Sequence, residues 1–323
     1  MRRAFPFGRS LGIVGHPTFR MKLAAKLKTA LDENRLLILG AQVVFGFQFD
    51  SIFQDQFDAL PPWSRTLACA GLILLILSIG LLVAPSMQHR LVERGQDSVR
   101  VLAWATEFAA WALLPLSIAL ALDLFIALER VGSATWGVVA GASFFAAAMA
   151  CWYGLEFALK RKRKPMADKQ PPRPTPLDVQ VDQLLTEARL IIPGAQALLG
   201  FQLTITLTQA FAQLPADAKI AHAVALCCVA LAVILLMAPA SLHRIAFGGE
   251  DDPQFVTIGS GFVIAAPLPL AFAIALDTYV AAGRALSSAT AAAVLAVAAI
   301  VALLGLWYAY PIWRRLARGP MRS

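Results

Sequence analysis

Charge is scarce in this chain of 323 residues, of which 15% are Asp, Glu, Lys or Arg. Soluble domains carry about a quarter. The deficit excludes an ordinary soluble domain, because the charge falls in short islands separated by long apolar runs, and lipid is the solvent that suits such a pattern. Cysteine is sparse too. Cys69, Cys151, Cys227 and Cys228 form no CxxC pair and sit in apolar runs, which argues against a zinc or redox motif and for small buried side chains. His16, His89, His222 and His243 are scattered without ligand spacing, so no metal site is expected. No HExxH, GxSxG, phosphate loop or dinucleotide fingerprint occurs, so no enzyme, catalytic residue or cofactor is expected. The first 31 residues contain no acid and no long apolar core, so a cleavable secretory signal is not evident. That stretch also has the composition of an organelle transit peptide, and MKLAAKLKTAL offers an alternative start at Met21.

Apolar residues make up 59% of the chain. Eight runs can reach the roughly 20 residues that cross hydrocarbon: 36–53, 66–84, 101–128, 134–159, 190–211, 220–238, 255–282 and 287–313. Pro85 and Pro239 are read as stops of the second and sixth. The first run reaches spanning length only by including Asp50 and Ser51, and its charge-free partner at 190–211 supports it. The expected fold is an all-α polytopic membrane protein whose eight transmembrane helices form two parallel four-helix repeats.

The repeat is the strongest signal. A shift of 154 positions aligns Glu33 and Arg35 with Glu187 and Arg189, Gly40-Ala41-Gln42 with Gly194-Ala195-Gln196, and Gly46-Phe47-Gln48 with Gly200-Phe201-Gln202. It also aligns Ala84-Pro85 and His89-Arg90 with Ala238-Pro239 and His243-Arg244, and Pro115, Asp123 and Arg130 with Pro269, Asp277 and Arg284. One inserted residue then brings Trp152-Tyr153 onto Trp307-Tyr308. The chain divides into a basic segment 1–31, a first repeat 32–159, a basic Pro-rich linker 160–185, a second repeat 186–313 and a basic tail 314–323.

Counting Lys and Arg orients the repeats. The two ends, the linker and the loops after the second and sixth spans carry 24 of the 28 basic residues; Arg65, Arg130, Lys219 and Arg284 fall on the other side. This bias predicts a cell inner (plasma) membrane protein with both termini cytoplasmic. Four spans per repeat give both copies the same sense in the membrane, as in parallel-repeat transporters. The halves are expected to pack on each other as a pseudo-dimer with a self-complementary face. The linker opens Lys-Arg-Lys-Arg-Lys and continues with five prolines, so an extended tether touching anionic headgroups is expected, rather than a nucleic-acid site. Trp152, Tyr153, Trp307, Tyr308, Tyr310 and Trp313 read as an aromatic belt at the inner boundary.

The E-x-R start of the first span, the P-G-x-Q element and the A-P-x-x-x-H-R end of the second resemble a bacterial membrane family of unknown function, domain-of-unknown-function family 6328. The second half carries all of them, in Glu187, Arg189, Pro193-Gly194-Ala195-Gln196, Ala238-Pro239 and His243-Arg244. The first half has Leu39 in place of the proline, with Asp50, Asp55 and Asp58 in its outer portion. The resemblance implies tandem four-span units and carries no activity across.

Polar residues inside apolar helices are costly and invite a functional reading. Gln42, Gln48, Gln196 and Gln202 either line a path between the repeats or hold helices together. Asp123, Arg130, Asp277 and Arg284 stand at the outer ends of the third spans, where acids could gather cations or the charges could cap the interface. Arg35, Arg189, His89, Arg90, His243 and Arg244 are candidate inner-face groups for headgroups, with the two His-Arg pairs read as lying in short loops. Glu107 and Glu156 have no acidic counterparts. Gly137 and Gly141 form a GxxxG for close packing. Two classes of function remain: a small-ion or proton channel or transporter, and a non-transporting scaffold, assembly or stress-related membrane protein.

Overall fold

In the computed structural model, residues 17–96, 99–154 and 175–317 are described. The start of the basic N-terminal segment, most of the linker with Glu156, and the end of the tail lie outside them. The first repeat runs through α1 (Pro17–Ser51), α2 (Pro62–Leu91), α3 (Val99–Val131) and α4 (Ala134–Met149). The second runs through α5 (Leu177–Ile205), α6 (Ala216–Ile245), α7 (Pro253–Ala265), α8 (Pro267–Leu286), α9 (Ala289–Leu304) and α10 (Tyr310–Ala317). Among the described residues every regular element is helical. Among the described residues, seven stretches are long and apolar enough to cross a membrane: α2 to α6, α7 with α8, and α9 with α10. The more polar α1 is not among the seven; it packs against α2, α3 and α5.

Sequence punctuation misplaces several ends. Pro85 and Pro239 do not stop their helices; both lie inside, with α2 continuing to Leu91 and α6 to Ile245. A proline removes one ladder hydrogen bond, and packing by neighbouring helices sustains the helix across the gap. His89-Arg90 and His243-Arg244 therefore sit on the last helical turns, not in loops. The linker, expected to be extended to about residue 185, is helical from Leu177. The third span of the first repeat runs unbroken through Pro115. Its counterpart divides at Ala266, where Pro267 joins Pro269; position 267 corresponds to Leu113 in the first copy.

Each fourth span widens into a π turn at its Trp-Tyr pair, Ala150–Gly154 and Gly305–Ala309. The tyrosines make equivalent bonds: Tyr153 donates to the Ala110 carbonyl at 2.5 Å and Tyr308 to the Ile264 carbonyl at 2.6 Å. These tyrosines therefore tie the fourth span to the third, instead of standing free in a belt. Trp307 departs from the belt reading further. It is fully buried, and its indole N–H donates 2.9 Å to the carbonyl of Gly80. Trp313 does remain exposed.

The GxxxG of α4 packs closely, as read. Cβ atoms at Gly137 and Gly141 would stand 2.6 Å from the Phe125 carbonyl and 2.8 Å from the Ala121 carbonyl. Backbone cannot yield as a side chain can. Gly137→Leu is therefore expected to destabilise the α3–α4 pair by about 1–3 kcal/mol, the usual range for overpacking, read as a lower thermal midpoint in detergent.

The halves meet along α1 and α5, and α2 lies against α8, α9, the second π turn and α10. The contact is not two-fold. Phe201 of α5 occupies the space beside Gly46, and Gln42 the space beside Gly194; the equivalent glycines, Gly200 and Gly40, have nothing within 4 Å of the same point. The expected self-complementary face is thus replaced by two different faces. The reason is steric: Leu303 and Leu306 reach α2 at Gly80, whereas the corresponding residue of α6 is Ile234.

Candidate functional site

Each repeat pairs a carboxylate with a buried amide. In the first, Gln48 Nε2 of α1 donates to Asp123 Oδ1 of α3 at 2.6 Å and lies 3.2 Å from the Ala68 carbonyl of α2. In the second, Gln202 Nε2 of α5 donates to Asp277 Oδ2 of α8 at 2.7 Å. Helical register explains the pairing, since the glutamine face of each first span is the face turned to its own third span. Gln48 and Gln202 are both buried, each turned to the third span of its own repeat. The aspartates are drawn into the bundle and do not form an outer mouth: Asp277 is fully buried and Asp123 half-buried.

The second repeat adds a histidine where the first has Ala68. His222 of α6 is fully buried between the rings of Phe49 and Phe211. Its Nε2 donates to the Gln202 carbonyl at 3.0 Å, and its Nδ1 faces Asp277 Oδ1 across 3.6 Å. With Nε2 carrying a proton, the Nδ1–carboxylate pair has two neutral ways to exist: imidazolium beside carboxylate, or imidazole beside carboxylic acid. In either neutral form the pair would hold one further proton, and burial in an apolar bundle penalises the charged form without it. The scattered-histidine reading missed His222 because repeat comparison selects residues that recur, and His222 does not.

A second polar cluster joins the halves. Glu187 of α5 is fully buried and accepts from His89 Nδ1 and Arg90 Nε of α2. Arg90 Nη1 also donates to Ser260 Oγ of α7 at 3.2 Å. His89 and Arg90 are thus an internal fastening and not headgroup ligands. Their counterparts behave differently. Glu33 and Arg244 are exposed, and His243 rests on Phe255 with ring centroids 4.7 Å apart.

The other expected residues separate. Gln42 is buried at the α1–α5 contact, while Gln196 is exposed. Arg35 is half-buried and Arg189 exposed. Arg130 donates to Gln56 Oε1 at 3.0 Å within its own half. Arg284 crosses between halves, donating to the Ile52 carbonyl at 2.7 Å and to Asp58 Oδ2 at 3.0 Å. Among the described residues, no three His, Cys, Asp or Glu side chains gather as a metal site would require.

Two tandem copies of one apolar helical unit, each with its own amide-bonded carboxylate, define an all-α multi-pass membrane protein. The chain belongs to the family of unknown function DUF6328, whose profile matches it twice, over residues 17–156 and 173–311. The two matches coincide with the two structural repeats. No curated protein and no solved structure matches the chain.

Proposed function

We propose that this is a multi-pass protein of the cell inner (plasma) membrane, with both termini cytoplasmic, that passes protons or small cations at its intramembrane carboxylates. The observation that carries the reading is Asp277, fully buried and shared between Gln202 and His222. Neutral glutamine, serine or threonine suffices to fasten membrane helices, whereas an acid at that depth is costly and marks ion or proton paths. Its recurrence as Asp123 gives both halves such a group. No catalytic residue or cofactor enters this reading.

The test is flux in proteoliposomes under a proton, sodium, potassium or chloride gradient. Asp277→Asn keeps the shape and a hydrogen-bonding side chain while removing the acid. It is expected to bring flux to that of protein-free vesicles, with Asp123→Asn lowering it less. Wild-type flux that survives Asp277→Asn would exclude the carboxylate as the site. A wild-type protein that passes none of the four ions would instead favour the scaffold reading. The Gln48–Asp123 and Gln202–Asp277 bonds, which tie first to third spans, speak for that second reading.

Orientation rests on the basic-residue bias. Reporter fusions at Arg65, Arg130, Lys219 and Arg284 are expected outside and one at Lys169 inside; an external linker would overturn the topology.

A further inference from the structure

The two halves meet through unlike faces, and each keeps its other face open. Of the most apolar stretch of α2, 67% is buried, against 28% in the equivalent α6. For the third spans the order reverses: 50% in α7 with α8, against 28% in α3. The first half thus contributes its second-span face and the second half its third- and fourth-span face. Such a head-to-tail contact leaves one unused copy of each face, and repeating it produces a ring or an open array.

The open faces carry the chemistry of the filled contact. In the filled contact, Glu187 and Ser260 of the second half receive His89 and Arg90 of the first. The corresponding acid and hydroxyl on the first half are Glu33 and Thr106, both exposed. On the second half Arg244 is exposed, beside His243, which is half-buried against Phe255. Charge and hydrogen-bonding capacity are therefore retained where no partner among the described residues uses them together.

Packing features match as well. The filled contact seats Gln42 beside Gly194 and Phe201 beside Gly46. The unfilled equivalents are Gln196 with Gly40, and Phe47 with Gly200; all four are exposed, Phe47 at 61% although its ring also meets Phe201 edge-on at 4.6 Å. Sizes change in a compensating way at the third point. Gly80 meets Leu303 and Leu306. Their counterparts are Ile234, 65% exposed, and the smaller Ala148 and Cys151. A large residue on one open face answers small ones on the other.

We propose that these open faces are an interface for a second copy of this chain. The second half of one copy docks on the first half of the next, with Arg244 on Glu33 and Ile234 over Ala148 and Cys151. Two copies make the smallest closed ring, of four repeats, and the first spans would form its inner circle.

The test uses the full chain in membranes, with the four native cysteines replaced by alanine. Gln42→Cys with Gly194→Cys is the control and should cross-link within one chain. Gly40→Cys with Gln196→Cys should cross-link between chains, giving dimers or larger species on a denaturing gel. Glu33→Arg should abolish that product, and adding Arg244→Glu should restore it. A closed control pair without interchain product would overturn the proposal and leave these faces to lipid. Interchain product from Gly40→Cys alone would also overturn it, because like faces would then be meeting. A particle mass of one chain in lipid nanodiscs would count against it equally.

Discussion

Glu187→Ala is expected to destabilise the packing of the two halves by about 3–5 kcal/mol, the cost of removing one partner from a buried ion pair. Glu187 is the acceptor that His89 Nδ1 and Arg90 Nε share. Without it, a guanidinium with 1% side-chain exposure would be left inside the protein, its Nη1 still bonded to Ser260. Glu33→Ala, at the equivalent exposed position, should cost the isolated chain under about 1 kcal/mol, as exposed charges do. The measurement is co-purification of the halves expressed as two chains, cut within the Pro-rich linker. Wild-type halves should associate, Glu33→Ala halves should still do so, and Glu187→Ala halves should separate. Equal behaviour of the two alanine variants would refute the buried fastening. Combining Glu187→Leu with His89→Leu and Arg90→Leu should recover association, since well-packed apolar residues can replace a buried ion pair without loss.

The contrast between Glu187 and Glu33 marks how far the sequence can be read. The repeat, its offset and the near-equivalence of the spans are legible, because matched residues recur at constant spacing and apolar runs have membrane length. The motif E-x-R…H-R is equally legible in both halves. Which glutamate meets which His-Arg pair is not, because that depends on packing volume at points outside the motif. Gly80 admits Leu303 and Leu306, and Ile234 does not repeat that space. A rule that looks for recurring residues sees the polar groups and passes over the differences that break the symmetry.

The same rule explains the carboxylates. Asp123 and Asp277 are legible as matched acids near the ends of matched helices, a position that suggests outer-mouth charges. Their glutamine partners come from first spans 75 residues away in each case, a distance that sequence spacing does not resolve. Pro85 and Pro239 misled for a different reason. Proline ends helices in water because nothing replaces the lost bond, but inside a bundle the neighbouring helices hold the chain in line.

Gln202→Leu is expected to be far more damaging than Gln48→Leu, although the two residues are equivalent by repeat. A hydrogen bond between helices in a bilayer contributes only about 0.6–2 kcal/mol, and losing Gln48 should fall in that range because half-buried Asp123 retains access to its surroundings. Losing Gln202 removes the donor to Asp277 Oδ2. Asp277 is fully buried and its other oxygen stands 3.6 Å from His222, so stranding it should cost about 3 kcal/mol or more. Thermal denaturation in detergent should show Gln202→Leu melting well below both wild type and Gln48→Leu. The decisive variant is the double change Gln202→Leu with Asp277→Leu. Removing both partners leaves neither a carboxylate without a donor nor an amide without an acceptor, and stability should return toward wild type while flux stays absent. If the double variant is as unstable as Gln202→Leu alone, the loss comes from packing around position 202 and not from a carboxyl left without its donor.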